Sequence, residues 1–453
     1  MNLTSTLRIE VLVAGSILMG CAATGQIFEE LHAFDAPPDG QVPEAALIQA
    51  RDGNFYGTTF YGGAWGYGTI FRMASTGGLS ILASFDATNS DQHPITALLE
   101  ASDGNFYGTT VAPSGIFDLT PDGVLTASRG GLGTDWDLLQ GSDGYLYGAD
   151  TGNESIDGLI YSEPLDGGPG GFRYLFDRNS SYDKGYRPSG GLIEGRDGNF
   201  YGVTAGGGAY GFGVAYRVTS NGTYTVLASF SRGTSGSDAV YPYGRLLQAS
   251  DGNFYGVAEA GYYGEGAIFR LTPSGTLTTF AALDGWNGSS PNGGLIEAND
   301  GNFYGTAARG GTNLMFDCGT VFVVSPTGVI TAIVSFTDHY DQGNYPGNRP
   351  LAGLIQASDG NLYGTCSLGS HGNGNIFRII MPGPSLSIIP QPSSLNQLTL
   401  SWRTNYTGFT LQCSDVLNSP NWTDCTNQAV VSDNKFFVTN SVPNGAQFFR
   451  LKK

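Results

Sequence analysis

Asp338, His339 and His371 have the side-chain types needed to move protons and could meet in space. A carboxylate beside an imidazole orients the ring and stabilises its cation, so such a pair can act as a general base. The competing reading is a chance cluster on the surface. The remaining histidines add nothing: His32 falls in a strand, and His93 has no chemical partner nearby in sequence. The chain lacks a Gly-x-Ser-x-Gly elbow, metal-ligand spacing and a phosphate-cradling loop. No catalytic set is therefore assigned, and neither a cofactor nor a metal is implied.

A second group of residues suits binding better than catalysis. Tyr61, Trp65, Tyr67, Tyr210, Phe212, Tyr262, Tyr263, Trp286, Tyr340 and Tyr345 lie among glycines and acidic residues in long connections. Aromatic rings in such surroundings suit a polar ligand with apolar faces, such as a sugar; equally, they could cap a core. Five cysteines are present. With Cys21 set aside, four remain and allow three pairings. Proximity favours Cys318–Cys366 and Cys413–Cys425.

What positions these residues is a repeat. Asp52-Gly53-Asn54-Phe55-Tyr56-Gly57 recurs in six later copies, beginning at Asp103, Asp143, Asp197, Asp251, Asp300 and Asp359. The mean period is near 51 residues, which points to a repeat architecture. Each copy has one grammar. Leu47–Ala50 reads as a strand, and Asp-Gly-Asn is a hairpin turn needing positive φ. Phe55–Thr59, Gly68–Met73 and Leu79–Phe85 are three further strands. Four antiparallel strands per copy make one propeller blade. The Tyr of each copy should pack between sheets with its hydroxyl satisfied. Arg72, Arg217, Arg270 and Arg378 end third strands, beside the turn, and are expected to pair with Asp52, Asp197, Asp251 and Asp359. One Asp per turn is too few for calcium.

The seventh copy ends after its third strand, near Ile380. Ile27–Phe34 reads as a fourth strand standing before the first copy, so it should close blade seven and leave no open edge. The fold expected is all-β: a seven-bladed propeller over residues 26–381, then a small β-sandwich over 382–453. Residues 1–25 read as a signal peptide, with Arg8 ahead of the apolar run Val11–Gly20. Leu18-Met19-Gly20-Cys21 has the form of a lipobox that would lipidate Cys21; cleavage a few residues later is the other reading. Either way the chain is expected outside the cytoplasm, touching a membrane only through such an anchor.

The chain carries 70 glycines and a net charge of −18 in 453 residues. That glycine content fits many tight turns. The acidic balance gives no basic footprint and excludes nucleic acid as a partner.

Phe55-Tyr56-Gly57-Thr58-Thr59 with Gly62-Gly63 and Gly68-Thr69-Ile70-Phe71 resembles the GloVer tandem repeat of exported bacterial proteins with a choice of C-terminal anchors. The resemblance spans residues 27–380, and the closing Phe448-Phe449-Arg450-Leu451 is similar to tails of exported verrucomicrobial proteins. It implies export and an envelope address, and it brings no catalytic residues. The function expected is a monomeric binding module for glycan or protein, acting through the long-loop face. A lyase-like polysaccharide enzyme at that face and a purely structural envelope protein are the alternatives.

Overall fold

The computed structural model describes residues 27–452, except 36, 87–91, 113, 131–134, 153–155, 169, 233–238, 261–263, 313–316, 338–346, 370–371, 383–386, 391–396, 404–409, 415–421, 426, 433–434 and 442–447. The chain divides into two compact units, one of residues 27–298 with 302–380 and a smaller one that takes in 381–453.

Among the described residues, the larger unit holds seven successive antiparallel sheets of four or five strands, besides a two-residue pairing of Gly40–Gln41 with Tyr61–Gly62. In the first sheet the strands are Ile48–Gln49, Phe55–Thr59, Thr69–Met73 and Leu79–Ser84, in that spatial order. The seventh sheet is Ile355–Gln356, Leu362–Cys366, Asn375–Ile380 and, from the other end of the chain, Ile27–Ala33. Ile27 lies opposite Ile380 and Ala33 opposite Asn375, so the N-terminal strand completes the last sheet as the sequence predicts. One helical turn, Arg178–Ser181, precedes the fourth sheet. No helix among the described residues is long and apolar enough to cross a membrane.

The repeated hexapeptide supplies the connections between sheets. Its Phe packs backward and its Tyr forward. Tyr56 stacks on Phe106 of the next sheet at 4.3 Å, and Tyr147 on Phe200, Tyr201 on Phe254 and Tyr255 on Phe303 at 4.1–4.4 Å. Tyr363 of the last sheet stacks on Phe55 of the first at 4.3 Å. The Gly after each Tyr leaves room for a third-strand ring: a Cβ on Gly256 would lie 2.4 Å from the Phe269 Cζ. The Asp is the hub of its own turn. Asp52 accepts from the Asn54 backbone N–H, the Asn54 amide and the Tyr56 hydroxyl at 2.7–2.9 Å.

A polar belt runs beside these rings. The Glu or Gln closing each innermost strand accepts from a backbone N–H in the preceding sheet's turn: Glu100 from Arg51, Gln140 from Ser102, Glu194 from Ser142 and Gln248 from Arg196. Gln49 accepts from Ser358 at 2.7 Å, so the belt also joins the last sheet to the first.

Two expectations are corrected. The arginines do not pair with the turn aspartates. The Tyr hydroxyl occupies the aspartate, and Arg72 reaches that hydroxyl instead, while Arg378 pairs with Glu29 of the closing strand. No disulfide joins Cys318 to Cys366 or Cys413 to Cys425. Cys413 faces Thr423 across the strands, which puts Cys425 on the diagonal. Diagonal neighbours stand about 7–8 Å apart, whereas a disulfide needs Cβ atoms about 3.5–4.5 Å apart. Cys318 and Cys366 are both buried. Burial pushes the Cys366 thiol well up, with Glu30 and Cys318 adding to the effect, and a thiol held protonated is a poor nucleophile for oxidation.

The smaller unit has two sheets. One orders Ser387–Pro390, Gln397–Arg403, Lys435–Ser441 and Val430–Ser432; the other orders Thr423–Asp424, Thr410–Ser414 and Phe448–Lys452. Leu400, Trp402 and Val438 of the first share one apolar cluster with Leu411, Phe449 and Leu451 of the second.

Replacing Tyr255 by Phe keeps the ring on Phe303 but removes the hydroxyl that Asp251 accepts at 2.9 Å. We expect a loss of about 1 kcal/mol in unfolding free energy. Burial first, then the Asp251 bond, pushes the Tyr255 hydroxyl up to about 12 from an ordinary value of 10.0. A raised folded-state pKa contributes stability that is whole below about pH 10 and lost as pH rises through about 12. Chemical denaturation between pH 9 and pH 12 should therefore show a smaller alkaline loss in the variant.

Candidate ligand-binding site

The innermost strands and the segments leading into them surround a cavity of about 450 Å³ to which all seven sheets contribute. A second cavity, of about 740 Å³, continues among the inner strands, and Ala46, Asp137, Arg245, Gly293 and Gly353 line both. The first cavity opens where the inter-sheet connections arrive, the face on which the long loops lie. Its volume falls within the range of about 300–1,000 Å³ usual for small-molecule sites.

The segments leading into the inner strands carry strained backbone. Prolines lead into six of the inner strands, and the residues before them, Val42, His93, Arg187, Tyr241, Ser290 and Arg349, hold φ between 53° and 58°. Left-handed φ costs a side-chain-bearing residue roughly 1–2 kcal/mol. Each of these residues donates its N–H into the preceding sheet's loop, as Tyr241 does to the Phe212 carbonyl and Arg349 to that of Cys318. That bond fixes the backbone where the chain enters each of these inner strands.

The third and fifth sheets carry the chemistry of the wall. Trp136 donates its indole N–H to the Pro188 carbonyl at 3.0 Å and meets Tyr243 edge-to-face at 5.0 Å. Asp135 accepts from the Thr151 N–H at 3.1 Å, and Asp137 from that of Ala97 at 2.8 Å. Burial raises the Asp137 carboxyl above its ordinary range, against the pull of the Ala97 N–H and the Arg245 charge. Burial lowers Arg245, and the Asp137 charge offsets part of this. More than a third of Arg245 is exposed, on the side that faces the cavity. Its guanidinium makes no hydrogen bond or close ion pair with any described group. Burial also raises Glu44, with Arg349 opposing.

The sequence-derived candidates fall elsewhere. Tyr61, Trp65, Tyr210 and Trp286 are exposed by 46%, 65%, 63% and 55%, and among the described residues no ring contact joins one of the four to another, Tyr61 meeting Phe60 and His93 instead. Tyr67 turns inward and meets His93, which also stacks on Phe60 at 4.6 Å. Phe212 packs on Tyr241 beneath Arg232. Cys21, Tyr262, Tyr263, Asp338, His339, Tyr340, Tyr345 and His371 lie outside the described residues. Sequence reasoning passed over Trp136, Asp137, Tyr243 and Arg245. The signal was available: these residues break the repeat at aligned positions of the inner strand, where other copies carry smaller or apolar residues.

These sheets and their shared cavity define an all-β repeat protein of propeller-like fold. The chain belongs to the Gloeobacter/Verrucomicrobia repeat family, whose model matches residues 14–127, 112–315 and 234–391. Streptogramin B lyase has a similar structure at a TM-score of 0.54 and 16% identity, over 79% of this chain and 99% of that one. A catalytically inactive virginiamycin B lyase from Staphylococcus aureus with quinupristin gives 0.54 and 15%, over 79% and 99%. An oligogalacturonate lyase in complex with manganese gives 0.51 and 12%, over 80% and 94%. Likeness at such identities concerns the fold alone. None of the curated protein sequences compared matches the chain.

Proposed function

We propose that this chain is an exported binding module. In this reading the seven sheets are blades of a propeller closed by residues 27–34, and residues 382–453 form a small β-sandwich. A glycan or protein ligand is taken at the face where the inter-sheet loops meet the central cavity. The observation that carries the reading is the cavity wall, where Trp136, Asp137 and Arg245 replace small residues of the repeat and Trp136 meets Tyr243. Export rests on the apolar run Val11–Gly20 and the lipobox-like Leu18–Cys21.

A glycan array probed with the labelled full chain, beside its Tyr243→Ala and Trp286→Ala variants, tests the reading. We expect signal on a subset of glycans. Tyr243→Ala should weaken it by more than about tenfold, as truncation of a central aromatic anchor does. Trp286→Ala, outside the cavity wall, should weaken it less. Signal indifferent to Tyr243→Ala would place the ligand elsewhere.

A further inference from the structure

The residue before the first leucine of each inner strand is Ala46, Ala97, Gly191, Gly294 or Gly353 in five sheets. In the third it is Asp137 and in the fifth Arg245. All seven positions line the cavities. The repeat thus places one anion and one cation in a lumen otherwise walled at this level by glycine and alanine.

We propose that Asp137 and Arg245 recognise one neutral sugar ring, the end of a glycan chain that enters the cavity lengthwise; this rests on the binding role proposed above. The two groups feel each other's charge but form no ion pair. Asp137 Oδ1 is engaged by Ala97, whereas among the described residues Oδ2 accepts no hydrogen bond and Arg245 donates none. A group set between them must donate to a carboxylate and accept from a guanidinium. Neighbouring hydroxyls on a sugar do both at once, and the Trp136–Tyr243 pair offers an apolar surface to the ring's C–H face.

Charge selects within that class. Glu44, Asp135 and Asp137 outnumber Arg245 on the wall of the first cavity, so an acidic sugar is repelled there. All seven sheets contribute to the wall around the pair, so a chain end entering along the lumen reaches it more readily than a chain interior.

Saturation-transfer NMR of the full chain tests this, with methyl glycosides of glucose, galactose, mannose, xylose and N-acetylglucosamine as neutral probes and galacturonate as the acidic one. At least one neutral probe should bind. Asp137→Asn, which keeps the shape, and Arg245→Lys, which keeps the charge but loses the fork, should each weaken it by about tenfold or more. Thermal melts that match the native chain would show both variants folded. Galacturonate binding tighter than every neutral probe would overturn the proposal, as would neutral binding unchanged in both variants. Array-positive glycans that survive both substitutions would sink the Asp137–Arg245 assignment yet leave the binding role intact. No response on the array or to any probe would remove both.

Discussion

A chain lacking residues 27–34 should lose its cooperative unfolding transition. The deletion strips the outer strand from the seventh sheet, leaving Asn375–Ile380 as an edge with a row of backbone groups unmatched. It also empties the site of Phe34, which is fully buried against Phe71 at 5.5 Å within the cluster shared by the last and first sheets. Truncating that ring alone, as Phe34→Ala, is expected to cost about 3–5 kcal/mol. Total stability for a native protein is only about 5–15 kcal/mol, so loss of the whole strand should exceed what the fold can absorb. Glu29→Ala removes only the partly exposed pair with Arg378, and about 0–1 kcal/mol is expected for it. Circular dichroism melts of the three variants check the order. A deletion that still melts sharply near the native temperature would mean the ring does not need its closing strand.

The closing strand was legible in the sequence because two kinds of local information agreed. Ile27–Phe34 has the pattern of a fourth strand, and the seventh copy lacks one. The same held for the strands of each copy, since their turns need glycine at fixed places. The arginine pairings were misread for want of side-chain reach: Tyr56 and Arg72 are cross-strand partners, so the tyrosine hydroxyl lies between guanidinium and carboxylate. The cysteines were misread because proximity along a chain does not set register. The cavity wall was missed for another reason. Departures from the repeat were sought in the variable outer loops, where Trp65 and Trp286 stand, whereas the inner strand is where chains from all seven sheets converge. Asp137 and Arg245 are single substitutions in an otherwise regular series, and only the convergence gives them a common space.

That convergence should make Gly190→Ala one of the most damaging small substitutions in the molecule. A Cβ there would lie 2.0 Å from the Gly244 carbonyl oxygen and 2.4 Å from its carbon, both backbone atoms that cannot rotate away. The two inner strands are tied at this point, with the Gly244 N–H donating to the Ser189 carbonyl at 2.7 Å and the Ser189 hydroxyl to that of Pro242 at 2.6 Å. The added methyl must separate the fourth and fifth sheets and break at least the first of these bonds. Overpacking costs about 1–3 kcal/mol, occasionally more, and loss of a buried hydrogen bond adds about 1–3 kcal/mol. We expect roughly 3 kcal/mol or more in all, read by urea denaturation. Gly78→Ala is the control, because its Cβ would meet nothing within 4 Å at an ordinary φ. That change should be neutral or stabilise by about 0.4–1 kcal/mol through the unfolded chain. Arg245 follows Gly244 directly, so the same separation should shift the guanidinium in the cavity. A ligand held there should be lost from Gly190→Ala even under conditions where the variant is fully folded. Native-like affinity in such a sample would show that the site tolerates a widened lumen and does not depend on the close approach of these two sheets.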